Sequence, residues 1–385
     1  MECHCVSITE MKALIAMSGG VDSSVAAYLS LKKYGQAEGC IMRLYENDMI
    51  GEDLFGTCCS LSDMQDARAV AERLNMPFHV FHYEHEFRDA VITPFAESYL
   101  KGETPNPCLN CNAYLKFDHL YGRAKELDCD LIVTGHYARV SYDEGSGRYC
   151  LKRGVDAAKD QSYVLYMLTQ EQLKHTYFPL GEYTKDAVRK IALEHGFVNA
   201  RKKESQDICF VPDGDYAAFI ERYTGRMMTE GNFVDEAGNV LGRHKGIAHY
   251  TVGQRRGLGI ASTESWYVKA LRPGVNEVVL TRAEGVYSDR LIAREFNWVS
   301  VAPPAPGETL SGTAMVRYRG KETPCTVQVG QSENLQWRFE RYNGPHTTGS
   351  TVEILFGSPV RAATPGQAVV VYDGEDVIGG GIIIT

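Results

Sequence analysis

The stretch Ala13-Leu14-Ile15-Ala16-Met17-Ser18-Gly19-Gly20-Val21-Asp22-Ser23-Ser24 reads as an apolar strand running into a tight loop and then a helix. Gly19 and Gly20 admit backbone angles closed to other residues and let amides approach an anion, while Ser18, Ser23 and Ser24 add hydroxyl donors. A helix starting at Val21 aims its positive end at the same point. A glycine turn with a serine N-cap would explain the residue types, but strand, loop and helix also arrive in the order an anion site needs. The lysine of G-x-x-x-x-G-K-[ST] is absent, so the loop is poorly equipped for cleavage between β and γ phosphates.

Ser18 to Ser24, S-G-G-V-D-S-S, resembles the pyrophosphate loop of N-type ATP pyrophosphatases. That resemblance implies ATP cut between its α and β phosphates, AMP attached to a substrate oxygen, and pyrophosphate held on the loop. ATP normally arrives with magnesium (Mg2+), which makes Asp22 a candidate for a loop or magnesium role, although an aspartate in a first helical turn is stabilising in any case.

The chain has 385 residues, enough for two or three domains with sizeable cores. Hydrophobic residues at 44% and charged residues at 23% are ordinary for a soluble globular protein. No apolar run approaches the roughly 18 residues of a membrane span, so no membrane partner is expected. The start Met1-Glu2-Cys3-His4-Cys5-Val6-Ser7 lacks the shape of a signal peptide, and the expected location is cytoplasmic. A net charge of -9 argues against nonspecific coating of nucleic acid but leaves room for a folded RNA held by local basic patches. Eleven cysteines, an odd number in a chain this long, do not make a disulfide scaffold, so some are expected to do chemistry or bind metal.

Over the first two hundred or so residues, helix and strand signals alternate. Helix is expected over Val21 to Tyr34, strand over Gly39 to Leu44, and a helix to about Asn75 opened by an Ser62/Gln65 capping box. Pro77 then precedes a strand at Phe78 to Phe81, and a helix over Glu86 to Leu100 should kink at Pro94. Helix at Lys116 to Leu127 and strand at Leu131 to Thr134 follow. The fold class is α/β, a doubly wound parallel sheet, and the loops after Met17, Leu44 and Thr134 should converge at the carboxyl ends of its strands. From about Gly231 the chain turns to glycine-spaced short strands: a hairpin over Phe233 to Leu241, then Val278 to Thr281, Phe296 to Val301, Thr313 to Arg319, Thr326 to Val329, Leu335 to Phe339, Thr351 to Phe356 and Ala368 to Tyr372. Their spacing predicts a closed β-barrel, with Pro303 to Gly307 a connector. The expected parts are residues 1–219, a small adaptor at 220–290 and the barrel at 291–385.

Thr104 to Asn112, T-P-N-P-C-L-N-C-N, places Cys108 and Cys111 just before the helix expected from Lys116, where a helix amino terminus lowers a thiol pKa. Glu204 to Phe210, E-S-Q-D-I-C-F, places Cys209 at the end of a strand-like run. Alone, C-x-x-C marks redox dithiols or half a zinc site as readily as catalysis. Cys58 and Cys59 read as packing, Cys3, His4 and Cys5 as tail, and Cys40, Cys129, Cys150 and Cys325 as core thiols. His136 suits a structural hydrogen bond or an RNA contact, and Lys159 to Gln161 a solvated turn.

Taken in order, the loop, T-P-N-P-C-L-N-C-N, T-G-H-Y-A (Thr134 to Ala138), K-D-Q-S-Y (Lys159 to Tyr163), E-S-Q-D-I-C-F, G-Q-R-R-G-L-G (Gly253 to Gly259) and V-R-Y-R (Val316 to Arg319) resemble the tRNA-specific 2-thiouridylases over nearly the whole chain. The resemblance implies ATP-dependent replacement of the 2-oxygen of a tRNA wobble uridine by sulfur. It puts ATP on Ala16, Met17, Ser18, Gly19, Gly20, Val21, Asp22, Ser23 and Met42, with Gly135 closing over the nucleotide. Asn106, Pro107 and Cys108 would surround the target base; His136, Lys159, Asp160, Gln161, Arg317, Tyr318 and Gln367 would touch tRNA. V-R-Y-R interleaves the arginine and aromatic faces an unstacked base wants.

By the same resemblance Cys209 would carry a persulfide and Cys111 would be the second cysteine, supplied by an upstream sulfur donor protein or sulfide, in a monomer. Cys108 departs from a common family form that has aspartate there, so a 4Fe-4S cluster on Cys108, Cys111 and Cys209 is a second sulfur route. The rivals are another adenylating ligase of the same loop class, using an amine nucleophile and no cysteines, and a non-catalytic RNA-binding protein.

Overall fold

The computed structural model describes residues 11–45, 61–202, 208–305, 307–329 and 350–384. Cys3, His4, Cys5, Cys58, Cys59, Glu204 to Asp207 and the strand expected at Leu335 to Phe339 lie outside the described residues. The chain forms two compact units, one of residues 1–92 and 107–214, the other of residues 93–106 and 215–385.

The first unit is built on β1 (Lys12–Ala16), whose Ala13, Leu14 and Ile15 are fully buried. Helix α1 (Val21–Tyr34) leaves it through the glycine loop and stops at Gly35, at φ +72°, whose N–H donates to Leu31 O. β2 (Gln36–Arg43) returns parallel to β1, α2 (Leu61–Arg73) crosses over, and β3 (Phe78–His82) adds to β2. β4 (Leu131–Val133) lies on the other side of β1; next in sequence an antiparallel hairpin of β5 (Ala138–Asp143) and β6 (Arg148–Arg153) stands outside this sheet, and β7 (Thr176–Tyr177) completes it beside β4. The sheet order β3-β2-β1-β4-β7 is parallel throughout, as the βα alternation predicts. Val25, Ala26 and Ala27 of α1 and Val70 and Ala71 of α2 seal one core with Ile15, Ile41 and Val133.

Three local expectations need correction. Ser62 is already helical in α2, so Ser62 and Gln65 lie within the helix rather than capping it. The stretch read as one kinked helix is α-helical at Glu84–Phe87 and Thr93–Leu100, with a π turn at Arg88–Ile92; Pro94 lacks the N–H that a regular ladder would use. The helix expected from Lys116 already begins at Pro107, runs as a π segment over Cys111–His119 and returns to α at Leu120–Glu126, so Cys108 and Cys111 are on the helix, not before it. Cys209 sits in a turn, with Val211 N–H donating to Ile208 O at 2.9 Å, and the strand-like run expected before it lies outside the described residues.

In the second unit, β8 (Gly231–Val234) and β9 (Val240–His244) form the expected hairpin, with Gly238 at φ +88°. β10 (Tyr267–Arg272) and β11 (Glu277–Thr281) complete a four-stranded sheet of order β10-β11-β8-β9, so Val278 to Thr281 belongs here and not to the barrel. β12 (Tyr287–Trp298), β13 (Thr309–Met315), β14 (Thr323–Val329), β15 (Ser350–Arg361), β16 (Ala368–Asp373) and β17 (Asp376–Ile383) make a barrel closed by pairing of β12 with β17. Its core includes Phe296, Val327, Ile354, Val369 and Val371. Among the described residues no helix is long and apolar enough to cross a membrane.

Candidate active site

The loop after β1 is held by its own side chains. Ser23 Oγ receives the Ser18 N–H at 3.1 Å and donates to Gly20 O at 3.0 Å, and Ser24 Oγ donates to the same carbonyl at 3.0 Å. Met17 N–H goes to Cys40 O at 2.7 Å, which fixes the strand end beside β2. Gly19 takes φ +70°, and a Cβ there would stand 2.4 Å from Asp63 O, so no side chain fits. Gly135, just past β4, meets the start of α1: a Cβ would lie 2.8 Å from Ser23 N. The loops after β1 and β4 therefore converge on one helix start. Met42, near the end of β2, is buried.

Asp22 has both carboxylate oxygens taken by Lys185 Nζ, at 2.7 and 2.8 Å, and Oδ1 also accepts from Tyr137 Oη at 2.8 Å. The Lys185 side chain is 8% exposed and that of Asp22 29%. Asp22 thus works in an ion pair that ties α1 to the helix Lys185–Glu194. Lys185 and Tyr137 were missed in the sequence. A cation in a helix's first turn opposes the helix dipole, and that mismatch was the available signal for Lys185.

Cys108 is exposed, and Cys111 and Cys209 are half-buried. One helical stretch anchors the segments bearing Cys111 and Cys209. Phe210, next to Cys209, packs edge-on against Phe87 at 5.7 Å, and Tyr45 Oη donates to Cys209 O at 3.3 Å. Asn110, next to Cys111, donates from Nδ2 to Ala90 O at 3.0 Å, in the π turn that follows Phe87. Asn112 donates to Val164 O and receives Lys116 Nζ, which secures the following turn. Among the described residues, no three His, Cys, Asp or Glu side chains are grouped to hold a metal ion. The three thiols as arranged do not fit a 4Fe-4S cluster.

The residues expected at tRNA divide into two sets. His136 is buried, its Nδ1 2.7 Å from Thr134 Oγ1 and its ring beside Phe117 and Phe178. Burial, and then Lys116, hold its pKa well below 6.5, so the ring is neutral. Asp160 accepts from Gly154 N, Ser162 N and Ser162 Oγ, and Gln161 Oε1 from Tyr137 N; both shape the turn they occupy. Gln367 Nε2 donates to Thr104 O at 2.6 Å, within the second unit. Arg317 and Tyr318, by contrast, lie in a turn beyond β13 where Arg317 is exposed and Arg319 stands 5.2 Å over the Tyr318 ring.

Fold and loop together define an α/β unit with a glycine-serine loop at the start of its first helix, an arrangement suited to anions, followed in the chain by a small sheet and a barrel. Residues 11–213 match the family model described as tRNA methyl transferase HUP domain, 217–282 its PRC-barrel domain, and 344–383 the aminomethyltransferase beta-barrel domain. The chain is 44% identical over 373 residues to a tRNA-specific 2-thiouridylase MnmA of Clostridioides difficile (strain 630), spanning 97% of this chain and 98% of the relative. It is 45% identical over 381 residues to that of Carboxydothermus hydrogenoformans, 98% of each, and 46% over 376 to that of Geotalea uraniireducens, 97% and 94%. The chain belongs to the tRNA-specific 2-thiouridylase family.

Proposed function

We propose that this chain thiolates the 2-position of a tRNA wobble uridine at the cost of ATP, with the chemistry in residues 1–219, an adaptor at 220–290 and a barrel at 291–385 that grips tRNA, acting as a monomer. The amides and hydroxyls of Ser18 to Ser23 hold the pyrophosphate end of ATP, and Met42 and Gly135 flank the nucleotide. The uridine 2-oxygen attacks the α-phosphorus, the α–β bond breaks, and pyrophosphate leaves on the loop. Magnesium accompanies the ATP as part of the substrate.

A persulfide on Cys209, loaded when its thiolate takes the outer sulfur of a donor protein's persulfide and leaves the donor's thiolate, then supplies sulfur. Either its outer sulfur attacks C2, displacing AMP with the old oxygen, and Cys111 thiolate attacks Cys209 Sγ to free 2-thiouridine; or Cys111 first releases hydrosulfide that attacks C2. Both routes end with AMP and a Cys111–Cys209 disulfide, which an external dithiol reduces. Asn106, Pro107 and Cys108 surround the base, and Lys159, Arg317 and Tyr318 are the tRNA contacts.

The observation that supports this reading most is the attachment of the Cys111 and Cys209 segments to one stretch, Phe87 to Ala90, in the unit that carries the loop. The test is single-turnover thiolation with ATP, tRNA and a persulfide donor. Wild type gives AMP and 2-thiouridine in equal amounts; Cys209→Ser and Cys111→Ser give none of the thionucleoside. Full thiolation in Cys209→Ser would overturn the role of Cys209, and wild type that forms AMP without 2-thiouridine would leave the amine-ligase reading.

A further inference from the structure

Asn199 lies 2% exposed in the turn after Phe197, where Lys202 N–H donates back to Asn199 O at 2.9 Å. Its side-chain amide spends both protons on the glycine loop: Nδ2 is 2.9 Å from Gly19 O and 2.9 Å from Ser24 Oγ. A carbonyl accepts only from a donor, so Nδ2 and not Oδ1 faces Gly19. Oδ1 is buried with no partner among the described residues, which marks the amide as held for its two N–H bonds despite the cost of a stranded acceptor. Lys202 fastens the same turn to α2, its Nζ bonded to Asp63 and Asp66.

The Gly19–Gly20 peptide is trans, since no cis bond occurs among the described residues, and a trans peptide points its C=O and its N–H to opposite sides. With Gly19 O turned into the buried Asn199, the Gly20 N–H points to the opposite side of the peptide. A peptide between two glycines rotates with little steric penalty, and rotated it would offer phosphate a carbonyl instead of an amide. We propose that Asn199 is a positioning residue that locks the Gly19–Gly20 peptide with its N–H toward the pyrophosphate of ATP, an assignment that rests on the loop being the ATP site.

Calorimetric titration of pyrophosphate and, separately, of adenosine into wild type, Asn199→Asp and Asn199→Ser tests this. Asp keeps the shape but sets a carboxylate against Gly19 O; Ser keeps one donor. Pyrophosphate affinity should fall about tenfold or more in Asn199→Asp and less in Asn199→Ser, while adenosine affinity stays within about twofold. The KM for ATP should rise with little change in kcat. Unchanged pyrophosphate affinity in Asn199→Asp, or equal loss of both ligands in the two variants, would overturn the assignment. Should Asn199→Asp fail to fold, Asn199→Ser decides by the same criterion. Wild type that binds neither ATP nor pyrophosphate would instead defeat the reading of the loop.

Discussion

His136 and Asp22 show how much a single residue's role depends on partners that the local sequence does not name. A histidine after glycine at a strand end reads equally as contact or core, and only the closing of Phe117 and Phe178 around it makes it core. Because the folded ring resists protonation, its contribution to stability is complete above the ordinary pKa of 6.5 and falls as pH drops below that value, where the unfolded chain takes up the proton. Urea midpoints from about pH 7 to 5 should therefore decline, and the decline should flatten in His136→Gln; an equal slope in the variant would place the acid sensitivity elsewhere. Asp22 was legible as part of the loop, but Lys185 enters from a helix far along the chain. Lys185→Met should lower stability by roughly 2–3 kcal/mol, below the range for a fully buried pair because Asp22 retains some solvent, as read by chemical denaturation.

Among elements, regular ones were legible and irregular ones were not. β1, α1 and the hairpin of β8 and β9 follow from apolar period, glycine and turn chemistry. The π segments at Arg88–Ile92 and Cys111–His119 have no sequence signature of their own; Pro107, a proline able to open a helix, was the sign that the cysteines are helical. Asn110→Ala frees the Cys111 segment from Ala90. It should slow formation of the Cys111–Cys209 disulfide under mild oxidation about fivefold, measured by peptide mapping, with the KM for ATP unaltered. Gly135→Val tests the other convergence, since its side chain must displace the backbone at Ser23. ATP affinity should fall at least about tenfold while the unfolding midpoint of the second unit is unchanged.

At the scale of the whole molecule, the sheet, the adaptor and the barrel were all legible, whereas the membership of residues 93–106 was not. That segment belongs with the barrel because Arg294 grips Glu103 through two 3.2 Å bonds, Thr104 N–H donates to Pro365 O, and Gly366 leaves room for the backbone of Thr104. Arg294→Met should destabilise the second unit by about 1–3 kcal/mol in thermal unfolding, and an unchanged midpoint would show that the fork is dispensable. β17 also escaped the sequence reading, since Gly379, Gly380 and Gly381 look like a breaker; a Cβ at Gly379 would lie 2.3 Å from Asn297 O, so the glycine is what lets β17 close on β12. Activation of the uridine 2-oxygen by AMP is the claim on which the rest depends. An anticodon stem-loop carrying 18O at that oxygen, incubated with ATP and sulfur donor, should yield 2-thiouridine and AMP bearing one 18O by mass spectrometry; 2-thiouridine formed with unlabelled AMP would contradict the account.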